Sequence, residues 1–314
     1  MKSPPSSAQS TAKRRAVRWP AFTMTRQETI AGYLFATPAL LGLLAFTAVP
    51  ILASLALIFL HYDLLTPPKW AGLDNITRLT SDKRMFTIYW NTFRLVVGTT
   101  VLNNIIGLLL AAGVNRSMPG VLRYVLRTSI FFPVLTTTAS LAVVWRFLLT
   151  QDRGVVNYLI SQIGLGPVPW LSSSTWALVS AMIYDVWKSA GYLMVIYLAG
   201  LQGIPEVYYE AAKIDGAGKW QQFLHVTLPL ISPTAFFAIV ISLIGAFQIF
   251  DNVWVLTEGG PGDASRVIAI FIYEKAFRGF EMGYASAVSF TLFLILIVLT
   301  LFQFIGARRW VHYE

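Results

Sequence analysis

Long apolar runs separated by shorter polar stretches set the pattern of this chain. Residues 29–60, 91–115, 128–149, 176–201, 231–256 and 283–306 are predominantly apolar, and each reaches the length, about 20 residues, needed to cross about 30 Å of hydrocarbon. The pattern predicts an all-α polytopic membrane protein with six transmembrane helices. Run one contains 32 residues, about 48 Å as a continuous helix at 1.5 Å per residue. It must therefore tilt, bend or project beyond the bilayer, and Pro38 and Pro50 are the expected places.

Composition agrees with this reading. Of 314 residues, 56% are hydrophobic and 12% charged, which excludes an ordinary soluble domain. No cysteine occurs, so disulfides, thiolate nucleophiles and cysteine-bound metals are excluded. The net charge of +9 raises nucleic acid as a partner, but the basic residues cluster beside apolar runs, where membrane orientation accounts for them. Residues 1–28 are rich in Ser, Pro and Ala and contain Lys13, Arg14, Arg15, Arg18 and Arg26. They read as a disordered basic cytoplasmic tail, too polar for a cleaved signal peptide. Residues 29–306 form the six-span domain and 307–314 a second cytoplasmic tail. With both termini inside, 13 Lys and Arg outside the spans face the cytoplasm and eight face outward, the direction that the positive-inside rule favours.

Residues 203–230, between runs four and five, form a polar island dense in helix and turn signals. Pro205 and Glu206 open a short helix, Ala211 and Ala212 favour it, and Gly216 suits its left-handed stop. A second helix is expected over 219–224, ended by Pro229. The result is a helix-turn-helix at the cytoplasmic membrane surface, with small alanines where another protein can approach closely.

The order Glu210-Ala211-Ala212, three residues, Gly216, nine residues, Val226, one residue, Leu228-Pro229 resembles the cytoplasmic coupling loop, the "EAA" motif, of ABC-importer permeases. Val226 stands where that family usually has Ile. Residues 62–75 are similar to the first external loop of the family's carbohydrate-type members, and Thr257-Glu258-Gly259-Gly260-Pro261 to its Thr-x-Gly-Gly-Pro loop. The resemblance implies that Glu210, Ala211, Ala212, Lys213, Asp215 and Gly216 couple the chain to an ATPase. It implies a second homologous permease subunit, two ABC ATPase subunits that bind the ATP and Mg, an extracytoplasmic solute-binding protein, and a bacterial or archaeal plasma membrane around them. The implied cargo is a carbohydrate, with glycerol-3-phosphate or a polyol as alternatives.

Polar residues inside the runs are the candidates for a solute pathway. Asn103 and Asn104 in run two need hydrogen-bond partners, so at least one should face other helices. Arg146 is expected to snorkel to the outer interface. Asp185 and Lys188 in run four either neutralise each other and hold the bundle together or, with Ser189 and Tyr192 at helical spacing, form a solute-facing stripe. In run five, Ser242, Gly245 and Gln248 share a face, with Phe250, Asp251 and Asn252 beyond. Polar groups beside aromatic rings suit sugars, whose hydroxyls need donors and acceptors while their ring faces stack on aromatic carbons. The resemblance points to the same two runs.

Other chemistries lack their residues. No phosphate-binding Gly-x-x-x-x-Gly-Lys-Ser/Thr loop occurs: in Lys213 to Trp220, lysine replaces the first glycine and tryptophan the metal-binding hydroxyl. His61, His225 and His312 are scattered without metal-ligand spacing, and no nucleophile-base constellation is present. A secondary transporter would usually carry broken helices in matching halves, which Pro38, Pro50 and Pro133 do not form. A membrane-embedded transferase would need clustered acids or histidines, and only the isolated region of Asp251 and Glu258 could be offered.

Overall fold

Thr25 opens the first helix through a reciprocal cap. Glu28 N–H donates to its hydroxyl at 3.4 Å, and its own N–H donates to the Glu28 carboxylate at 2.7 Å, satisfying two end donors. A computed structural model describes residues 25–311, so most of the expected N-terminal tail and residues 312–314 lie outside the described residues. Residues 25–28 are the cap and first turn of α1 (Arg26–Leu43), because the capping box extends the helix beyond the apolar run. A wider turn at Leu44–Ala48 leads into α2 (Val49–Leu57). Pro38 is absorbed without ending α1. Pro50 cannot donate to the carbonyl four residues earlier, and the widened turn falls immediately before it. Arg26–Leu57 is thus one apolar helical stretch of 32 residues. Its part up to Ala53 forms a unit of its own.

The second unit begins at Ser54. A two-residue hairpin pairs β1 (Leu60–His61) antiparallel with β2 (Lys69–Trp70), followed by α3 (Asp74–Ser81). Asn75 of α3 is buried and donates to the carbonyls of Ile58 and Leu60 at 2.9 and 3.0 Å. Next come α4 (Arg84–Val114), α5 (Gly120–Leu135), α6 (Thr138–Leu148), α7 (Val155–Gln162) and α8 (Trp176–Gln202). The polar island follows as α9 (Glu206–Ile214), α10 (Lys219–Gln222), a wide turn at Phe223–Thr227 and α11 (Leu228–Leu230). The chain closes with α12 (Ser232–Phe247), α13 (Asp251–Thr257), α14 (Ile268–Tyr273), a wide turn at Glu274–Arg278, and α15 (Met282–Ala307).

Among the described residues, Arg26–Leu57, Arg84–Val114 and Met282–Ala307 are long and apolar enough to cross a bilayer, and the number rises to six if each of three bent pairs counts as one span. Run three is not one straight helix: α5 and α6 meet at 101°. Pro133 removes one helical donor, Thr136 is extended, and its hydroxyl caps the Pro133 carbonyl at 2.7 Å. The helix also starts at Gly120, so Arg123 and Arg127 belong to α5 and not to a turn. Run five likewise ends at Phe247 and restarts at Asp251. Arg146 does not simply snorkel: it donates to the carbonyl of Val255 at 3.3 Å, tying α6 to α13. Pro229 does not stop the second helix of the island, because the wide turn before it lets Leu228 N–H donate to the Phe223 carbonyl and carries the helix on to Leu230.

Helix α8 is the hub of this unit. Leu178, Ala181 and Tyr184 meet Leu95 of α4, Ala142 of α6 and Val253 and Leu256 of α13. Leu193, Met194 and Tyr197 meet Ala111 and Val114 of α4 and Ala238 of α12. Glycine permits the closest approaches. A Cβ on Gly191 would lie 2.3 Å from the Ile130 carbonyl oxygen of α5, and one on Gly107 2.7 Å from Leu193 Cβ. Such contacts between small residues hold helices together where hydrocarbon solvent weakens the hydrophobic drive.

Replacing Gly191 by Ala is therefore expected to cost about 1–3 kcal/mol through forced separation of α5 and α8. Gly113→Ala, where no atom lies within 4 Å, should leave stability unchanged or slightly raised. Thermal melts of the two purified variants check this, and equal melting temperatures would contradict the close approach.

Candidate functional site

Two sets of residues from the sequence come together, at opposite ends of the same helices. At one end, α8 passes through residues 203–205 into α9 with a bend of 66°, and Lys219–Leu230 enters α12 with another bend of 66°. Between them Gly216 takes φ +81°, a left-handed conformation that favours glycine. Gly216 N–H donates to the Lys213 carbonyl at 3.0 Å and Ala217 N–H to that of Ala212 at 2.9 Å, closing the first helix as a C-terminal glycine cap does. Gly218 N–H donates to the Gln221 side chain at 2.8 Å and opens the second. Tyr209 bridges the hairpin to the Thr227 hydroxyl at 3.0 Å.

Glu210, Ala211, Lys213, Asp215 and Gly216 are exposed, and Ala212 is half-buried. Beside them Ile214 is 85% and Trp220 69% exposed, and Val207 and Leu224 are exposed as well. A cleft of about 240 Å³ runs through the hairpin, lined by Ala212, Asp215, Gly216, Gln221, His225 and Val226 among others. A rigid, self-capped hairpin with exposed apolar points has the features of a docking surface.

At the other end a cavity of about 270 Å³ is lined by Thr138, Asp185, Gly245, Gln248, Ile249, Phe250, Asp251 and Asn252. The breaks in runs three and five build it. Thr138 starts α6 after the α5 bend, and Gln248 to Asp251 span the gap between α12 and α13. Carboxylates, amides, a hydroxyl and an aromatic ring thus face one space, able to pair solute hydroxyls as both donors and acceptors. Phe250 stacks on Trp254 and meets Tyr273 edge-on, so the ring is held in place.

Four expected residues, Asp185, Gly245, Gln248 and Asp251, line this cavity; Lys188, Ser189, Tyr192 and Ser242 do not. Asp185 and Lys188 form no ion pair. Asp185 instead accepts from Asn103 Nδ2 at 3.1 Å, since α4 lies against α8 at this level and brings the amide closer than the flexible ammonium. Ser242 accepts from Asn104 Nδ2 at 2.8 Å, and Asn104 Oδ1 accepts from Tyr197 at 2.8 Å, so Ser242 belongs to a buried tie between α4, α12 and α8. Both asparagines face other helices, as their polarity requires. Asn252, read in the sequence beside Phe250 and Asp251, also lines the cavity; Thr138 carried no assigned role, and the helix break before it was the signal that would have found it. Among the described residues no group of three or more His, Cys, Asp and Glu is arranged to hold a metal ion.

Outside the spans, ion pairs tie the loops together. Arg84 donates to Asp263 twice at 2.8 Å, Arg266 pairs with Asp263 and makes two bonds to Glu274 at 2.9 and 3.0 Å. Arg78 and Lys275 converge on Glu281 at 3.0 Å. The Arg84 guanidinium holds the Asp263 carboxyl below the usual carboxylate range. Burial opposes the charge of Glu281, yet Lys275 and Arg78 together hold it below that range too.

Helices of this length and apolarity, broken around a polar cavity and joined by an exposed hairpin, define a polytopic membrane transport component. Residues 103–312 match the family described as "Binding-protein-dependent transport system inner membrane component", and the chain belongs to that family. It is similar to the probable ABC transporter permease protein YesP of Bacillus subtilis, 37% identical over 92% of this chain and 94% of the relative. It is also similar to the lactose transport system permease protein LacF of Rhizobium radiobacter, 34% identical over 91% and 97%. Among solved structures, a bacterial ABC transporter involved in the import of the acidic polysaccharide alginate aligns at a TM-score of 0.80, 26% identical, over 90% of this chain and 96% of that one.

Because Asp263 and Glu281 titrate below their unfolded values, their ion pairs contribute fully at neutral pH. The contribution persists down to the ordinary carboxylate pKa of about 4 and is lost as pH falls further, through the lowered values. Asp263→Asn should therefore lower the melting temperature at pH 7 and narrow its deficit at pH 3; an undiminished deficit at pH 3 would remove Asp263 as the titrating group.

Proposed function

We propose that this chain is one of two homologous permease subunits of an ATP-driven importer, carrying a carbohydrate delivered by an extracytoplasmic binding protein. The observation that carries the reading is the continuity from hairpin to cavity. α9 follows α8, which carries Asp185 in its other half, and α10 leads through the wide turn and α11 into α12, whose far end presents Gly245 and Gln248. From Asp185 to Gln202 is about 26 Å along α8, so displacement of the hairpin is delivered to the cavity through a single rigid element on each side. The carbohydrate assignment is supported by the polar and aromatic lining and by the relatives, whose names include lactose, trehalose/maltose and arabinooligosaccharide transport.

In this mechanism two separate ATPase subunits hold ATP and Mg and close on each other. The loop of Glu210, Ala211, Ala212, Lys213, Asp215 and Gly216 moves with them, the helices rock, and the cavity opens outward to receive sugar from the binding protein. Hydrolysis restores the inward-facing state. This chain performs no chemistry itself; it converts motion into access. The orientation has the hairpin, the basic turn at 115–119 and both termini on the cytoplasmic side of a bacterial or archaeal plasma membrane.

Glu210→Lys removes a docking charge and Gly216→Val forces a branched side chain into the left-handed region, at about 1–3 kcal/mol. Uptake by the assembled transporter is expected to fall about 10- to 100-fold in each, while the binding protein keeps its affinity for sugar. Normal uptake in both would overturn the coupling assignment. Asp185→Asn and Gln248→Ala should raise the KM for uptake about tenfold, the scale of a lost charge-assisted hydrogen bond, with subunit assembly intact; unchanged transport in both would move the solute site elsewhere.

A further inference from the structure

One apolar recess of the second unit has no part in the pathway described above. A groove of about 590 Å³ lies between α4, α5 and α8, bounded by Leu102, Ile106 and Leu110, by Ile130 and Pro133, and by Trp187. It runs about 12 Å along α4 from Leu102 to Leu110. Its walls are almost wholly apolar and suit a hydrocarbon chain.

Three arginines stand towards the end of α5 that leads out of this groove. Arg116 is exposed in the turn before α5, and Arg123 and Arg127 lie one helical turn apart on α5, before Ile130 and Pro133. No Asp or Glu occurs anywhere in residues 83–151, and none of the three arginines forms an ion pair among the described residues. The Nε atoms of Arg123 and Arg127 are both buried and without an acceptor, and Arg123 Nη2 reaches only the carbonyls of Arg116 and Met118 at 3.4 Å. A buried guanidinium N–H without an acceptor is costly. The positive end of the α5 dipole adds to the same field.

We propose that the groove and these arginines together form a binding site for one anionic glycerophospholipid. The phosphate pairs with Arg123 and Arg127, with Arg116 at the rim, and one acyl chain lies in the groove against Ile106, Ile130 and Trp187. A single amphipathic ligand thereby sets a negative charge against guanidinium groups that have no carboxylate partner and covers the apolar walls, in the leaflet that faces the 115–119 turn. A zwitterionic lipid would fill the groove but leave the arginines with a neutral headgroup, so the site discriminates by charge.

The test uses the assembled transporter in nanodiscs of phosphatidylcholine with added phosphatidylglycerol, with lipids retained after detergent extraction counted by native mass spectrometry. One phosphatidylglycerol per copy of this chain should be retained in preference to phosphatidylcholine. The preference should weaken roughly fivefold for each of Arg123 and Arg127 replaced by Gln and survive replacement by Lys. Ile106→Trp, which fills the groove without touching charge, should reduce retention of both lipids. Equal retention of the two lipids by the wild type, or undiminished phosphatidylglycerol retention in the Gln double variant, would overturn the site. So would crosslinks from a photoreactive residue at position 110 that reach a partner subunit and not lipid.

Discussion

The packing of α4, α5, α6, α12 and α13 depends on how closely they can approach α8. With lipid as solvent, association rests on van der Waals contact and on polar ties, not on expulsion of water. Gly107 of α4 and Gly191 of α8 permit close approach, and Gly200 faces the Thr234 side chain of α12 in the same way, a Cβ there lying 2.5 Å from its hydroxyl. The polar ties follow from that closeness. Asn103 reaches Asp185, and Asn104 joins Ser242 to Tyr197, because the backbones are near enough for short side chains to span the gap.

The two broken runs show how such a scaffold makes room for function. An unbroken helix satisfies all its backbone groups internally and offers a smooth wall. Where Pro133 and the Gln248–Asp251 gap interrupt the ladder, backbone and side-chain polar groups turn towards a shared space, and that space is the 270 Å³ cavity. Irregular backbone in a membrane chain is tolerated where it lines a cavity or is covered by protein. The larger recesses differ in chemistry. The 590 Å³ groove is apolar, and a 580 Å³ cleft near Arg146, Asp152 and Glu258 is assembled from the ends of α6 and α13 and the loops beside them.

The hairpin combines rigidity with exposure. Its turns are capped by its own backbone and by Gln221 and Tyr209, so it holds its shape without burying its outer face. Ile214 and Trp220 remain outside. The hairpin leaves α8 and enters α12 through bends of 66°, so its helices lie across the axes of both.

The sequence by itself determined the class of fold, the long runs, the hairpin and its left-handed Gly216, because these depend on local quantities: span length, helix propensity and the φ that only glycine adopts freely. It also marked eight residues of runs four and five as candidates for a solute pathway, of which Asp185, Gly245, Gln248 and Asp251 line one cavity. Only the tertiary structure decided that Asp185 answers to Asn103 and not to Lys188, that Ser242 is a structural tie, and that Thr138 belongs with Gln248. Those pairings join residues far apart in the chain, and they are fixed by where glycines let helices touch and where a proline lets one turn aside. Hydrophobic periodicity is blind to both.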